Sequence, residues 1–190
     1  MKLGFITKTL TASLAFLDSL WIRYTSIGVT MDKSTIEVAD ANGYKIFYPG
    51  SIIGKITASG KWRRCTQATN SAIAAAGQKD VIIIEETARF KVGDSIIAGE
   101  ATANVIASMV AGTKTITLTD NLSVEVPEGA VVKGTDGSEV ALCMLMTQID
   151  VTNLDGAGSA ADVARVIVAR LPFVATAKEK EHLAAKIDFV

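Results

Sequence analysis

The apolar positions of this chain recur with two periods, and the change from one to the other marks its first boundary. Leu10, Leu14, Leu17 and Trp21 fall three to four residues apart, with Phe16 and Leu20 beside them. That spacing gathers side chains on one face of a helix. An amphipathic helix is predicted there, and the pattern fits both a helix packed on its own domain and an arm that binds a partner. From Ser26 the texture changes to short strand-like runs over 26–31, 34–38 and 44–48. Asn42-Gly43 stands between the last two, and both residues tolerate the positive φ of a tight type I′ turn, so a hairpin is predicted at that point. Pro49-Gly50 supplies another turn, and 52–57 a further strand.

The middle of the chain has its own rhythm. The alanine-rich stretch 71–76 reads as a single helical turn capped by Gly77. Val81, Ile82, Ile83 and Ile84 read as a buried strand, and 90–97 as a strand interrupted by a turn at Gly93-Asp94. Strands follow over 103–109 and 113–119, the latter alternating so that Lys114, Ile116 and Leu118 share a face. Two short runs, 124–126 and 130–132, close the segment.

Beyond it, 140–146 is too continuously apolar for a half-exposed strand, so a central strand covered on both faces is predicted. Residues 155–159 read as a flexible turn and 163–171 as a long strand. Thr176 and Glu179 have the spacing of a capping box, in which the hydroxyl accepts from the amide three residues on and the carboxylate reaches back. A helix over 177–186 is expected, with Leu183, Ala184 and Ile187 turned inward.

Composition narrows the function classes. The chain has 190 residues, 21% charged, with a formal net charge of -1, so no strong field draws it to nucleic acid or an anionic membrane. Neither is expected as a direct partner. Asp18 interrupts the N-terminal apolar stretch, which is shorter than the roughly twenty residues a spanning helix needs, so neither a signal peptide nor an anchor is expected. Cys65 and Cys143 lie outside any zinc spacing and read as buried thiols, although a disulfide between them is geometrically conceivable.

Candidate chemistry is sparse. His182 is the sole histidine; a general base needs an orienting partner and a cleft, so an exposed or half-buried helical position is expected instead. Glu85-Glu86 follows a strand, where adjacent side chains point apart, and reads as a solvated strand end. Gly54-Lys55 and Gly60-Lys61 miss the phosphate-loop spacing and lack Ser or Thr after the lysine. Asp94, Asp120, Asp136, Asp150 and Asp155 are too scattered for a calcium loop. Lys61-Trp62-Arg63-Arg64 is the one basic-aromatic cluster; it could grip an acidic surface, but reads more simply as a solvated strand end. No catalytic residue, cofactor or metal is therefore expected, and the chain is read as a non-enzyme.

One phrase is more specific. The run from Pro49 through Gly50, Gly54-Lys55-Ile56-Thr57 and Gly60-Lys61-Trp62 breaks off, and Asp136-Gly137 with Ala141 and Leu142 resumes it about seventy residues later. Joined, the two halves resemble the lambda-like head decoration proteins of tailed bacteriophages, as does the ending 184–190. The resemblance implies a mainly β fold: a small β-barrel or β-tulip-like core from 44–62 plus 134–190, with a C-terminal helix and a short terminal strand. Residues 63–133 are then an inserted β domain, similar to the small barrel modules of phage structural proteins, and 1–43 a capsid-contacting segment with the first strands.

The function implied is cementing: a homotrimer on the outer surface of the mature virion capsid, assembled in the host cytoplasm, with the major capsid protein as partner. Residues 1–30 are candidates for lattice contact by strand addition or helix docking, with Leu10, Leu14, Leu17 and Trp21 as the expected capsid-binding positions. A head-fibre, tail-tube or tail-fibre subunit is the alternative.

Overall fold

The computed structural model describes residues 26–36, 42–162 and 164–190. Its first barrel draws strands from distant parts of the chain. Strand β1 (Ser26–Met31) alternates, with Val29 and Met31 buried and Gly28 and Thr30 exposed. It pairs antiparallel along its whole length with β13 (Gly156–Ala161), from Ser26↔Ala161 to Met31↔Gly156. β13 pairs in turn with β11 (Cys143–Leu145), β11 with β3 (Ile52–Lys55), and β3 with β4 (Trp62–Arg64). A parallel contact between Met31 and Trp62 returns β4 to β1, closing a five-stranded barrel. The protein is thus mainly β, as its composition and patterning predict.

Two apolar clusters explain why β11 is buried at every position. Cys143 and Leu145 point into the barrel with Val29, Met31, Phe47, Ile53 and Ile149. Met144, on the opposite face, joins Ile52, Ala161, Val166, Leu183 and Ile187. That second cluster is the underside of helix α1 (Ala177–Leu183) and of the parallel pair β14 (Ala164–Val166) and β15 (Ile187–Phe189). The helix begins at the predicted capping box: Thr176 Oγ1 accepts from the Glu179 amide at 3.0 Å, and Glu179 Oε2 accepts from the Thr176 amide at 2.8 Å. It ends at Leu183, short of the expected 186, and Ala184 is exposed rather than inward.

The second sheet is built from one continuous stretch. Its order is β5 (Gln67–Thr69), β10 (Val131–Gly134), β7 (Ser95–Ala98), β8 (Asn104–Val110), β9 (Thr115–Leu118) and β6 (Asp80–Ile82). The sheet curls until its two ends meet: Asn70 bridges Ile83, Ser71 N donates to Ile82 O at 2.7 Å, and Ile84 N donates to Thr69 O at 2.9 Å. This removes the open edges that would otherwise invite pairing with other chains. The enclosed core runs from Ala68 to Val132, with Phe90, Ile96, Ile106, Ile116 and Leu118 at its centre.

Several local expectations are corrected. Residues 71–76 form no helical turn; Ala74 exchanges backbone bonds with Val126 at 2.9 and 2.8 Å. The 81–84 run is half-buried, with Ile82 and Ile84 facing solvent. Lys114 leaves the face of Ile116 and Leu118 for a turn at φ 54. Residues 155–159, expected as a loose turn, belong mostly to β13, and 163–171 yields only β14 followed by a 3-10 turn over Val168–Arg170. In the 34–38 run, Lys33–Thr35 is a 3-10 turn. Residues 37–41, the other arm of the hairpin expected at Asn42-Gly43, lie outside the described residues; β2 (Ile46–Phe47) pairs with β12 (Ile149–Asp150).

Candidate functional site

The two halves of the interrupted phrase meet in space. Gly54, in β3, lies so close to Ser138 that a Cβ there would fall 2.1 Å from the Ser138 carbonyl oxygen. Gly137, at φ +97, lies as close to Thr57, whose Oγ1 would be 2.1 Å from an added Cβ. Gly54 is therefore required by the backbone it touches, and Gly137 by its left-handed conformation, with the Thr57 side chain packed against it. Hydrogen bonds stitch the segments together. Thr57 N donates to Asp136 O at 2.9 Å, Leu142 N to Ile53 O at 3.1 Å, and Gly134 N to Thr66 O at 2.8 Å. Asp136 Oδ1 accepts from both the amide and the hydroxyl of Ser138, shaping the turn.

Charged side chains join this seam to the second barrel, contrary to their reading as solvated strand ends. Arg63 is only 3% exposed. Its Nη2 lies 2.6 Å from Asp94 Oδ2 and its Nη1 3.1 Å from Asp136 Oδ2. Burial opposes the Arg63 charge, but the two carboxylates outweigh it and hold its pKa above the ordinary value. Asp136 is held below the ordinary carboxylate range although partial burial pushes the other way, because Ser138 and Arg63 donate to its charged form.

A second pair reaches the helix. Arg89 Nη1 meets Glu179 Oε1 at 2.5 Å and also donates to Gln67 O at 3.3 Å, while Nη2 donates to the Val174 carbonyl. Glu179 is fully buried, so one carboxylate both caps α1 and neutralises an arginine of the second barrel. Burial drives its pKa upward against the pull of Arg89. Glu85 is also buried, accepting from Thr69 N at 2.6 Å and Thr69 Oγ1 at 3.1 Å. A pattern-based reading misses these groups because their partners are distant in sequence.

The arrangement holds parts together more readily than it transforms a substrate. His182 Nδ1 accepts from the Ala141 amide at 3.2 Å. Cys65 and Cys143 are free and buried in different clusters. Burial pushes the Cys65 thiol well up and the Cys143 thiol to about 12, so neither is a ready thiolate nucleophile. Among the described residues, no group of three or more His, Cys, Asp and Glu side chains could hold a metal ion, and no helix is long and apolar enough to cross a membrane. Leu10, Leu14, Leu17 and Trp21 lie outside the described residues. No protein-family model and no curated protein matches the chain.

Proposed function

We propose that this protein is a bacteriophage capsid decoration protein that binds the outer surface of the mature shell as a trimer and cements it. The observation that carries the reading is the reunion of the split phrase: 48–62 and 134–146, separated by a complete sheet, form adjoining strands and turns with Gly54 on Ser138 and Gly137 on Thr57. A phrase without catalytic chemistry still has a structural reason where Gly54 is required by the backbone it touches and Gly137 by its left-handed turn. The C-terminal helix and terminal strand complete the architecture that the resemblance implies.

The mechanism is mass action. A ligand that binds only the expanded lattice stabilises it by its free energy of binding, and three linked weak contacts bind far more tightly than one. The proposed grip is the N-terminal face of Leu10, Leu14, Leu17 and Trp21. Size-exclusion with light scattering should give a trimer, and the protein should cosediment with expanded empty capsids but not with unexpanded ones. Deleting residues 1–22 should abolish cosedimentation and leave the trimer intact. A monomer that ignores capsids would sink the proposal. The second closed barrel favours one other reading, a head-fibre, tail-tube or tail-fibre subunit, and polymerisation of the purified chain without capsids would select it.

A further inference from the structure

Arg64 is placed differently from the two arginines around it. Its guanidinium lies over the Phe173 ring, with Cζ 3.5 Å from the centroid, and Tyr48 packs against the same ring with centroids 6.5 Å apart. The ring occupies one face of the cation and leaves its edge donors for bonding. Among the described residues Arg64 makes no hydrogen bond or ion pair, whereas Arg63 and Arg89 each hold carboxylates.

Beside it is a cavity of about 10 Å³, lined by Arg64, Arg89, Phe173, Val174 and the Gly50-Ser51 turn. That is room for one water-sized group. Arg89 is 5% exposed, and its Nε is a buried donor without a hydrogen-bond partner; Glu86 Oε2, at 3.6 Å, is too far to accept. Burial and the neighbouring Arg89 cation pull the Arg64 pKa down to about 10, against Glu86 and Tyr48. Its charge is under-compensated, a condition that an incoming anion relieves.

We propose that this cavity is a carboxylate receptor: Arg64 bonds edge-on to a carboxylate presented by a docking protein, and one carboxylate oxygen enters beside Arg89. A planar carboxylate matches the guanidinium edge in two parallel bonds while the face stays on Phe173. The cavity has room for that one oxygen only, so the rest of the anion stays outside on the Arg64 edge. Tyr48 and Val174, both exposed, form an apolar collar, and aromatic and arginine anchors of this kind carry much of the energy of protein interfaces. The proposal is independent of the capsid reading.

The test uses the full chain, ¹⁵N-labelled, with the arginine Nε–Hε resonances followed by NMR and Arg64 assigned by the signal lost in Arg64→Lys. Sodium acetate should shift that resonance saturably, and sodium chloride at equal ionic strength should not. Phosphate should bind more weakly than acetate. A capped valyl-aspartyl dipeptide, which also covers the collar, should bind roughly tenfold more tightly than acetate. Identical acetate and chloride titrations, or a preference for phosphate, would overturn the carboxylate site; equal affinity for dipeptide and acetate would overturn a protein as its source.

Discussion

The two barrels reach closure by opposite routes. The first recruits strands from residues 26 to 161, and its outer flank depends on a helix and strands that end at residue 189. The second is completed within 67–134, with every member of its core between Ala68 and Val132. Contacts between distant residues must overcome more loop-closure entropy, so the second barrel has the more local folding problem. Yet the buried pairs Arg63–Asp94 and Arg89–Glu179 tie them together. The second barrel has a self-contained core, yet the helix of the first barrel depends on one of its arginines.

Excision separates these two properties most strongly. Thr66 and Gly134 are bonded neighbours, so a short Gly/Ser linker can replace 67–133 without stretching the seam. The excision removes Arg89 and leaves Glu179 without its cation, while Arg63 loses Asp94 but keeps Asp136. Stranding one partner of a buried pair costs roughly 3–5 kcal/mol, enough to unfold a marginal domain. The excised chain should therefore fold poorly, and Glu179→Gln in the same background should restore a cooperative urea transition, because glutamine also serves in a capping box. If the excised chain folds equally well with Glu179, the pair does not couple the barrels.

A second variant probes the seam alone. Gly54→Ala drives a methyl into the Ser138 backbone, which cannot swing aside as a flexible side chain could. Overpacking of this kind costs about 1–3 kcal/mol. The loss should appear as faster amide exchange in β3, β4 and β11, while the amides of β7, β8 and β9 keep their protection. Uniform loss across both barrels would mean that they unfold as one unit.

What the sequence made legible was mostly local. The capping box, the β1 strand and the two-sided burial of Cys143–Leu145 follow from residues near each other. β13 was hidden because Gly156 and Gly158 look like turn residues; the reason for glycine is Ile149, whose side chain would meet an added Cβ at 2.1 and 2.4 Å. Helix propensity at 71–76 yielded to the Ala74–Val126 pairing. The seam was legible as a broken phrase, but its charges were not. Arg89 and Glu179 stand ninety positions apart, and no periodicity links a cation in one element to a carboxylate in another.

The smallest effect distinguishes the two ion pairs by pH. Asp136 has a folded-state pKa below its ordinary 3.8, since Ser138 and Arg63 favour the charged form over the opposing effect of burial. Its contribution is present above 3.8 and is lost as pH falls through the lowered value. Glu179 has the opposite sign: burial raises its pKa above 4.5, so its contribution is present below 4.5 and is lost as pH rises through the raised value. Urea midpoints measured downward from neutral pH should first rise slightly, as Glu179 takes its proton, and then fall as Asp136 does. Glu179→Gln should remove the rise and keep the fall, while Asp136→Asn should weaken the fall and keep the rise. A Glu179→Gln profile with the rise intact would show that another group sets the upper limb and that the helix-side pair does not titrate in this range.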